Sequence, residues 1–197
     1  MLLGHTALVV DDVPARKAEV RAAVTRRRQE LSPDARAAAG DSIAATGLAQ
    51  WSGCHTVAAY LAFGTEPPTQ RLVADLHRAG VRVILPVING AELDWAEFTD
   101  ATAVRPGVLG APEPIGEALG PEGVRQAEVV VVPALAVDRS GVRLGRGRGF
   151  YDRALARATG RIIAVVYDDE LLANLPSEPH DRRVDEVLCP AGLTRCR

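Results

Sequence analysis

Residues 143–149, which read RLGRGRG, alternate arginine and glycine directly before a stretch with helical character. Glycine has no Cβ, so the backbone N–H groups of this segment can approach an anion closely. Arg143, Arg146 and Arg148 add guanidinium groups, whose paired donors match phosphate oxygens. The start of the following helix adds partial positive charge at the same point. The pattern therefore predicts a loop that binds a polyphosphate.

Two other interpretations of this loop are a solvated turn and a dinucleotide-binding fingerprint. The turn is favoured by the arginine-rich composition of the chain, in which Lys17 is the only lysine among 23 basic residues. The fingerprint is favoured by Asp168, which follows at about twenty residues, but its third glycine would fall at Phe150. A Walker loop is excluded, because the chain contains no Gly-Lys-Ser or Gly-Lys-Thr sequence. We therefore favour polyphosphate binding without either motif.

The elements that must position this loop are helices alternating with apolar strands. Ser32 is a predicted N-cap and Gly80 a predicted helix end. Helices are predicted from about Pro14, from Pro33, within 68–80 and from about Tyr151, with a further short helix after 169. Strands are predicted at 56–63, 81–88, 91–98, 127–137, 161–169 and 184–189, and the stretch 100–126 is mostly loop. Such alternation predicts an α/β fold with a largely parallel sheet covered on both faces. Ligands of such sheets bind beyond the carboxyl ends of the strands, and the loop follows strand 127–137.

Composition restricts the class of protein. The net charge of −2 argues against a general nucleic-acid-binding protein, so an anion site must be local. The opening residues resemble neither a signal peptide nor a membrane span, and we expect a loose extension at 1–13 followed by a single domain at 14–197. Cys54, Cys189 and Cys196 have no metal-binding spacing, which indicates reduced thiols and a cytoplasmic location, with no membrane partner.

Four stretches of the chain, taken together, resemble the 5-formyltetrahydrofolate cyclo-ligase family, also called methenyltetrahydrofolate synthetases. Residues 133–155, PALAVDRSGVRLGRGRGFYDRAL, resemble the family signature RLGxGxGYYD. Residues 15–32 are similar to its N-terminal KxxLR helix, and residues 58–88 to its strand–glutamate loop–helix–strand unit. Residues 165–190 resemble its ending, LPxExHDxxVDxV. The resemblance covers residues 15–190 in order.

The resemblance implies an enzyme that uses ATP and Mg²⁺ to close 5-formyltetrahydrofolate to 5,10-methenyltetrahydrofolate, releasing ADP and phosphate. It also implies a Rossmann-like three-layer sandwich with a mostly parallel sheet, of the NagB/RpiA/CoA-transferase-like kind. ATP, as co-substrate, and the folate are then the small-molecule partners. No nucleic acid is expected, and a monomer and a dimer both stay open.

The resemblance also implies roles for individual residues. Arg148 and Tyr151 correspond to catalytic positions of the family, and Asp152 and Asp181 to its two magnesium ligands. The implied ATP contacts are Lys17, Arg21, Arg143, Leu144, Gly145, Arg146, Gly147, Arg148, Gly149, Phe150 and Tyr151. The implied folate contacts are Leu61, Glu66, Trp95, Arg146, Gly147, Arg148, Gly149 and Phe150. Glu66 would accept the amino and ring N–H groups of a pterin, and Trp95 and Tyr151 could stack on aromatic rings of the substrate.

Each of these residues also has an interpretation without function. Lys17 and Arg21, four apart on a helix, could form a solvated basic face. Asp152 could be an ordinary carboxylate in the first turn of a helix, and Asp181 a loop cap. Glu66 could start a helix, and Trp95 could pack in the core.

Three departures from the family pattern affect the folate end of the site. Pro67 and Pro68 follow Glu66 and would stiffen that loop, which could move the carboxylate. Glu170 stands where the family commonly has glutamine, which would place an added charge near the folate or nucleotide. The family's GIxEP element is stretched here to GVLGAPEP, residues 107–114, so the register of its glutamate is open. The first two of these departures favour a second hypothesis, a non-catalytic relative that binds nucleotide or folate. A third hypothesis is a sugar-phosphate isomerase, which would need an acid/base pair and no ATP.

Overall fold

The computed structural model describes residues 12–100, 103–178 and 181–197. Of the predicted extension, residues 1–11 lie outside the described residues, and Asp12 caps the first helix by accepting from the N–H of Ala15. The helices are α1 (Val13–Glu30), α2 (Pro33–Trp51), α3 (Gln70–Arg78) and α4 (Phe150–Leu155), with 3-10 helices at Pro121–Gln126 and Asp168–Glu170. The strands are β1 (Thr56–Ala58), β2 (Arg82–Asn89), β3 (Glu92–Glu97), β4 (Val104–Pro106), β5 (Pro112–Pro114), β6 (Val129–Pro133), β7 (Ala136–Asp138), β8 (Arg143–Leu144), β9 (Arg161–Val165), β10 (Leu171–Leu172), β11 (Glu186–Cys189) and β12 (Gly192–Arg195).

Seven strands form the main sheet, in the order β12–β11–β9–β6–β1–β2–β3. The five inner strands pair in parallel, and the two edge strands, β3 and β12, pair antiparallel with their neighbours. β12 has no counterpart among the predicted strands, whereas β3 follows the predicted turn at Asn89–Gly90. The predicted α/β fold with a mostly parallel sheet is confirmed.

The two faces of the sheet are covered by different helices. On one face the core includes Ile43, Trp51 and Leu72 of α2 and α3, and on the other Leu155 of α4 and Val124 of the first 3-10 helix. Successive strand residues alternate between these two cores, as a pleated strand requires; the alternating pairs are Val57 and Ala58, Val83 and Ile84, and Val131 and Val130. The molecule is therefore a three-layer sandwich.

The strand predicted at 56–63 is shorter in the structure. Beyond its end, side-chain hydrogen bonds take the place of those that a neighbouring strand would make. β1 ends at Ala58, and the buried backbone beyond it is satisfied by the hydroxyl of Thr69. This hydroxyl accepts from the N–H of Ala62 at 3.0 Å and donates to the carbonyl of Tyr60 at 2.5 Å. The chain thereby leaves the sheet at its carboxyl end with the N–H of Ala62 and the carbonyl of Tyr60 paired.

The predicted strand at 127–137 divides into two strands that belong to different sheets. β6 ends at Pro133, which has no N–H to continue the ladder. β7 then pairs with β8 and β10 in a separate three-stranded sheet. Val24 of α1 packs on this small sheet with Leu144 and Leu175. The start of the glycine–arginine loop is thus a strand, and α1 covers it.

The Gly- and Pro-rich segment that was predicted to be mostly loop contains the hairpin β4–β5 and the first 3-10 helix. The predicted short helix after 169 is the three-residue 3-10 helix Asp168–Glu170. Over the described residues, none of the helices combines the length and the apolar character needed to cross a bilayer.

Candidate active site

A cavity lies beyond the carboxyl ends of β1 and β6, where the order of strands in the sheet reverses. Residues that follow these strands line it, among them Tyr60 and Leu61 after β1 and Ala134 after β6. The glycine–arginine loop closes one side from Gly145 to Asp152. The fold therefore brings the predicted phosphate-binding loop to the edge of the sheet where ligands of such folds bind.

The loop glycines adopt conformations that other residues would resist. Gly147 and Gly149 have φ of +87° and +71°, in the left-handed region. A Cβ at Gly145 would lie 2.9 Å from a guanidinium nitrogen of Arg143, and one at Gly149 would lie 2.7 Å from that of Arg153. Because α4 has only six residues, its dipole adds less than the sequence pattern suggested. The groups of this segment that could bind an anion are therefore mainly its backbone amides and arginines.

The three loop arginines have different environments. Arg143 is buried and acts as a brace, donating to the carbonyl of Pro133 at 3.3 Å and to Oδ1 of Asp152 at 2.6 Å. Arg146 is half exposed, and its guanidinium lies 4.6 Å from the ring centroid of Phe63. Arg148 is exposed, and its guanidinium has no polar partner among the residues described. Arg146 and Arg148 are therefore the two that an anion could reach directly.

Glu66 lies in the same cavity in spite of the two prolines that follow it. Its side chain is 5% exposed, and Oε1 pairs with Nη2 of Arg146 at 3.0 Å. Oε2 accepts from the N–H of Phe63 at 3.1 Å. Burial raises the pKa of Glu66, and the bonds from Phe63 and Arg146 only partly oppose this. Leu61 lines the cavity beside it, so the carboxylate faces an apolar wall.

The predicted aromatic contacts fall in two places. Tyr151 and Phe150 line the cavity, and burial raises the pKa of Tyr151 far above its ordinary value. Trp95 is instead 1% exposed and packs in the core with Val124 and Leu155. The prediction that Trp95 stacks on the substrate is therefore wrong in this structure, because β3 directs its indole into the sheet–helix interface. Leu144 likewise packs in the core of the small sheet, away from the cavity.

The N-terminal helix presents its basic residues to two different neighbours. Nε of Arg21 donates to the carbonyl of Gly145 at 2.9 Å, so α1 touches the loop directly. Nζ of Lys17 donates to Oδ2 of Asp181 at 2.7 Å and to Oε2 of Glu178 at 2.8 Å. Burial opposes the charge of Lys17, but these two carboxylates outweigh it and raise the pKa of Lys17. Neither residue is part of a solvated basic face.

The two predicted magnesium ligands do not share a cavity. Asp152 lines the main cavity, and Oδ1 is held by Arg143. Asp181 is held by Lys17 and by the N–H of Glu178, and it lines a shallow groove elsewhere on the surface. In the described parts of the chain, no cluster of three or more His, Cys, Asp or Glu side chains could hold a metal ion. Asp152 fits a magnesium ion carried in on phosphate oxygens, whereas Asp181 fits only after Lys17 releases it.

Two buried charged residues at this site were not predicted correctly from the sequence. Glu170, expected to add a charge near the ligands, is 1% exposed and forms a two-bond ion pair with Arg28, both bonds at 2.7 Å. Nη2 of Arg28 also donates to the carbonyl of Ala134 at 2.7 Å. Arg28 was overlooked within an arginine run, although it lies seven residues after Arg21 and eleven after Lys17, on the same face of α1.

A third buried carboxylate resolves the register of the stretched element. Glu113 of β5 is 4% exposed, lines the cavity, and accepts from the N–H of Ile88 at 3.0 Å. Gly107 lies against it, since a Cβ there would be 2.4 Å from its carboxylate. The extra residues of 107–114 therefore form the hairpin turn, and the glutamate still faces the cavity.

Comparisons with known proteins agree with the resemblance found in the sequence. A model of the 5-formyltetrahydrofolate cyclo-ligase family matches residues 13–190. A curated relative from Mycolicibacterium smegmatis, named 5-formyltetrahydrofolate cyclo-ligase, is 41% identical over 187 residues, covering 90% of this chain and 95% of the relative. One of the same name from Escherichia coli is 30% identical over 179 residues, covering 86% and 98%. The solved structure of Aquifex aeolicus 5,10-methenyltetrahydrofolate synthetase matches with a TM-score of 0.81 at 28% identity, covering 92% of this chain and 93% of that one.

Proposed function

The chain belongs to the 5-formyltetrahydrofolate cyclo-ligase family, and we propose that it uses Mg·ATP to close 5-formyltetrahydrofolate to 5,10-methenyltetrahydrofolate, releasing ADP and phosphate. The observation that carries this proposal is the meeting of Glu66 and Arg146 across one cavity. A carboxylate suited to a pterin and a loop suited to a polyphosphate are thereby within reach of one substrate pair.

The reaction needs phosphorylation because a formamide oxygen is a poor leaving group. In the proposed sequence, this oxygen attacks the γ-phosphorus of ATP and ADP departs. N10 of the folate then adds to the activated carbon and loses its proton, and the C–O bond breaks so that the oxygen leaves with the phosphoryl group as phosphate, which takes up that proton. Catalysis of this kind depends on positioning and on neutralising the transferring phosphoryl group. Arg146, Arg148 and the amides of the loop glycines are the groups that we assign to that task.

At the folate end, Glu66 accepts the N–H groups of the pterin edge, and Leu61 provides an apolar wall. For this to happen, Arg146 must leave Glu66. Arg146 then binds a phosphate of ATP. Each residue of the ion pair is thus bound by one substrate, Arg146 by ATP and Glu66 by the folate. Tyr151 and Phe150 line the space between and could stack on the ring system.

At the ATP end, we assign Arg21 and Lys17 of α1 to the nucleotide phosphates, together with the loop. Arg21 already contacts Gly145, while Lys17 would have to exchange Asp181 and Glu178 for phosphate oxygens. Asp152, with Asp181 once released, is the carboxylate that would hold Mg²⁺. The metal ion would neutralise phosphate charge during transfer.

The proposal needs only small-molecule partners, ATP and the folate. The net charge of −2 gives no reason to expect a nucleic-acid partner. Cys54, Cys189 and Cys196 are free thiols, and we infer a reducing compartment, the cytoplasm, as the place where the enzyme acts.

The test is turnover of purified protein with Mg·ATP and 5-formyltetrahydrofolate. We expect the near-ultraviolet absorbance of the methenyl product to appear with a stoichiometric amount of ADP. ATP hydrolysis without this product would support the non-catalytic relative instead. The prolines after Glu66 no longer favour that alternative, because Glu66 faces the cavity. Glu170 no longer favours it either, because its charge is paired with Arg28.

A further inference from the structure

Three buried polar atoms on residues that line the cavity have no hydrogen-bond partner within the described part of the chain. One is Nε of Arg143, whose side chain is already held by Asp152. The other two are the hydroxyl of Tyr60 and Nη1 of Arg28, on residues that are 4% and 1% exposed. Both residues line the cavity that also contains Glu66. Leaving such a group unpaired is destabilising, so the two that lie near Glu66 call for an explanation.

The first group, Nη1 of Arg28, is held in place by the rest of its own side chain. Nε and Nη2 are both bound to Glu170, and Nη2 also donates to the carbonyl of Ala134. The guanidinium carbon lies 5.7 Å from the ring centroid of Tyr167, which packs against one side. With these contacts fixed, Nη1 cannot turn toward a protein acceptor. It remains a donor whose partner must come from the cavity.

The second group, the phenol of Tyr60, is a neutral donor. Burial raises the pKa of Tyr60 well above its ordinary value, and the nearby Glu66 carboxylate acts in the same direction. Arg28 opposes the shift, which places its guanidinium close enough to act on the same ring. Tyr60, Arg28 and Glu66 therefore form one polar end of the cavity, with two unused donors beside one acceptor.

We propose that Tyr60 and Arg28 bind an acceptor oxygen on the ring of the substrate while Glu66 binds its donors. The inference rests on the proposed function and extends it. A pterin presents, along one edge, a 2-amino group, a ring N–H and a 4-oxo oxygen. Glu66 accepts from the first two, and the hydroxyl of Tyr60 with Nη1 of Arg28 donates to the third. The pair then determines specificity for a 4-oxo ring over a 4-amino ring.

This arrangement gives the two unpaired donors a function. A ligand that supplies the acceptor removes their desolvation penalty on binding, whereas a 4-amino group meets Nη1 of Arg28, which can only donate. Discrimination of this kind comes from buried groups that only the correct ligand can pair. Tyr60 and Arg28 are not part of the glycine–arginine loop, so their contribution to this discrimination can be measured without ATP.

The test compares pterin with 2,4-diaminopteridine as probes, by fluorescence titration without ATP. Tyr60→Phe removes one hydroxyl and keeps the ring. We expect it to weaken pterin binding about 5- to 10-fold, consistent with one hydrogen bond, and to weaken 2,4-diaminopteridine binding less. Its unfolding temperature should equal or exceed that of the wild type, because an unpaired polar group is lost. The matched control is Trp51→Phe, which also removes an unpaired buried donor but lies outside the residues that line the cavity, and which should keep the wild-type preference.

Arg28→Lys is the second variant, since it keeps a charge opposite Glu170 and removes the Nη1 donor. Like Tyr60→Phe, it should reduce the preference for pterin over 2,4-diaminopteridine. Equal losses for both probes in Tyr60→Phe, an unchanged pterin affinity, or no pterin binding by the wild type would each overturn the inference. A protein that shows the expected preference but forms no methenyl product would refute only the proposed function. Turnover with an unchanged KM for the folate in Tyr60→Phe would refute only the inference.

Discussion

Two arginine–glutamate pairs border the cavity, and they differ in burial and in the number of hydrogen bonds that join them. In the pair Arg28–Glu170 the side chains are 1% and 2% exposed, and two bonds of 2.7 Å join them. In the pair Arg146–Glu66 the arginine is 49% exposed, and one contact of 3.0 Å joins it to the carboxylate. We call them the buried pair and the cavity pair. Their difference suggests that one is part of the scaffold and the other is an exchangeable contact.

Physical chemistry supports this division. A buried pair is costly to break, because removing one partner leaves an uncompensated charge away from water. A half-exposed pair contributes little, since water competes for the arginine and its side chain keeps much of its freedom. The buried pair is tied further, by the N–H of Tyr167 to Glu170 and by Arg28 to the carbonyl of Ala134. The cavity pair is supported mainly by Phe63.

The largest expected effect is on stability, from Glu170→Ala in the buried pair. We expect a loss of about 3–5 kcal/mol in the free energy of unfolding, because Arg28 would be left charged and unpaired. Urea denaturation measures it. The control is Asp169→Ala, which removes an exposed carboxylate paired with Arg27 at 3.2 Å and should cost less than about 1 kcal/mol. Similar losses in both variants would erase the distinction between the two pairs.

The second prediction concerns binding, from Glu66→Gln in the cavity pair. We expect affinity for 5-formyltetrahydrofolate to fall about 10- to 100-fold, the value of hydrogen bonds to a charged group. The unfolding temperature should stay within a few degrees of the wild type, because an amide can still accept from the N–H of Phe63. Calorimetric titration and thermal unfolding are the two measurements. A variant that unfolds readily but binds folate normally would reverse the assignment of the pairs.

The third prediction separates two arginines of the same loop. Arg146→Ala and Arg148→Ala should each raise the KM for ATP about 10-fold, as expected for loss of one charge-assisted phosphate contact. Only Arg146→Ala should alter folate binding without ATP, tightening it by up to about 5-fold because Glu66 no longer has to release a partner. Steady-state kinetics and titration without nucleotide test this. Identical folate affinities in the two variants would show that the cavity pair does not compete with the ligand.

The smallest expected effect is a pH dependence that belongs to Glu66. Because burial raises its pKa, folate binding should weaken on acidification at a higher pH than an ordinary carboxyl group would cause. A raised pKa in the folded state also means that Glu66 favours folding most in acid, and that this contribution is lost as pH rises through the folded-state pKa. The stability of the wild type relative to Glu66→Gln should therefore increase as pH falls. Thermal unfolding of both proteins between pH 7 and pH 5 would detect it, and parallel curves would contradict it.

Local patterns in the sequence were sufficient for most of the fold. Apolar runs predicted the inner strands, and Ser32 and Gly80 marked helix ends correctly. Patterns failed where a distant residue decided the outcome. The strand after Thr56 is ended by bonds from Thr69, and an apolar run continues through Pro133 although the chain changes sheets there. Hydrophobicity reports burial but not which sheet a residue joins.

The site shows the same limit at the level of side chains. Type and spacing were enough to suggest the loop, the family resemblance suggested Glu66 and Leu61, and all lie on one cavity. Trp95 could not be assigned in this way, because alternation along β3 allows either face to be buried. Glu170 could not be assigned either, since its partner is 142 residues away. The roles of all these residues in catalysis remain predictions for the variants described above.

Helix α1 runs across the molecule and contacts three separate parts of it. Successive turns of this helix reach the C-terminal segment through Lys17, the loop carbonyl of Gly145 through Arg21, and the floor of the cavity through Arg28. Inserting one residue between Arg21 and Arg28 would rotate the second half of the helix by about 100° relative to the first. The outer surface of α1 can therefore accept many substitutions, whereas insertions and deletions between Lys17 and Arg28 would break at least one of these three contacts.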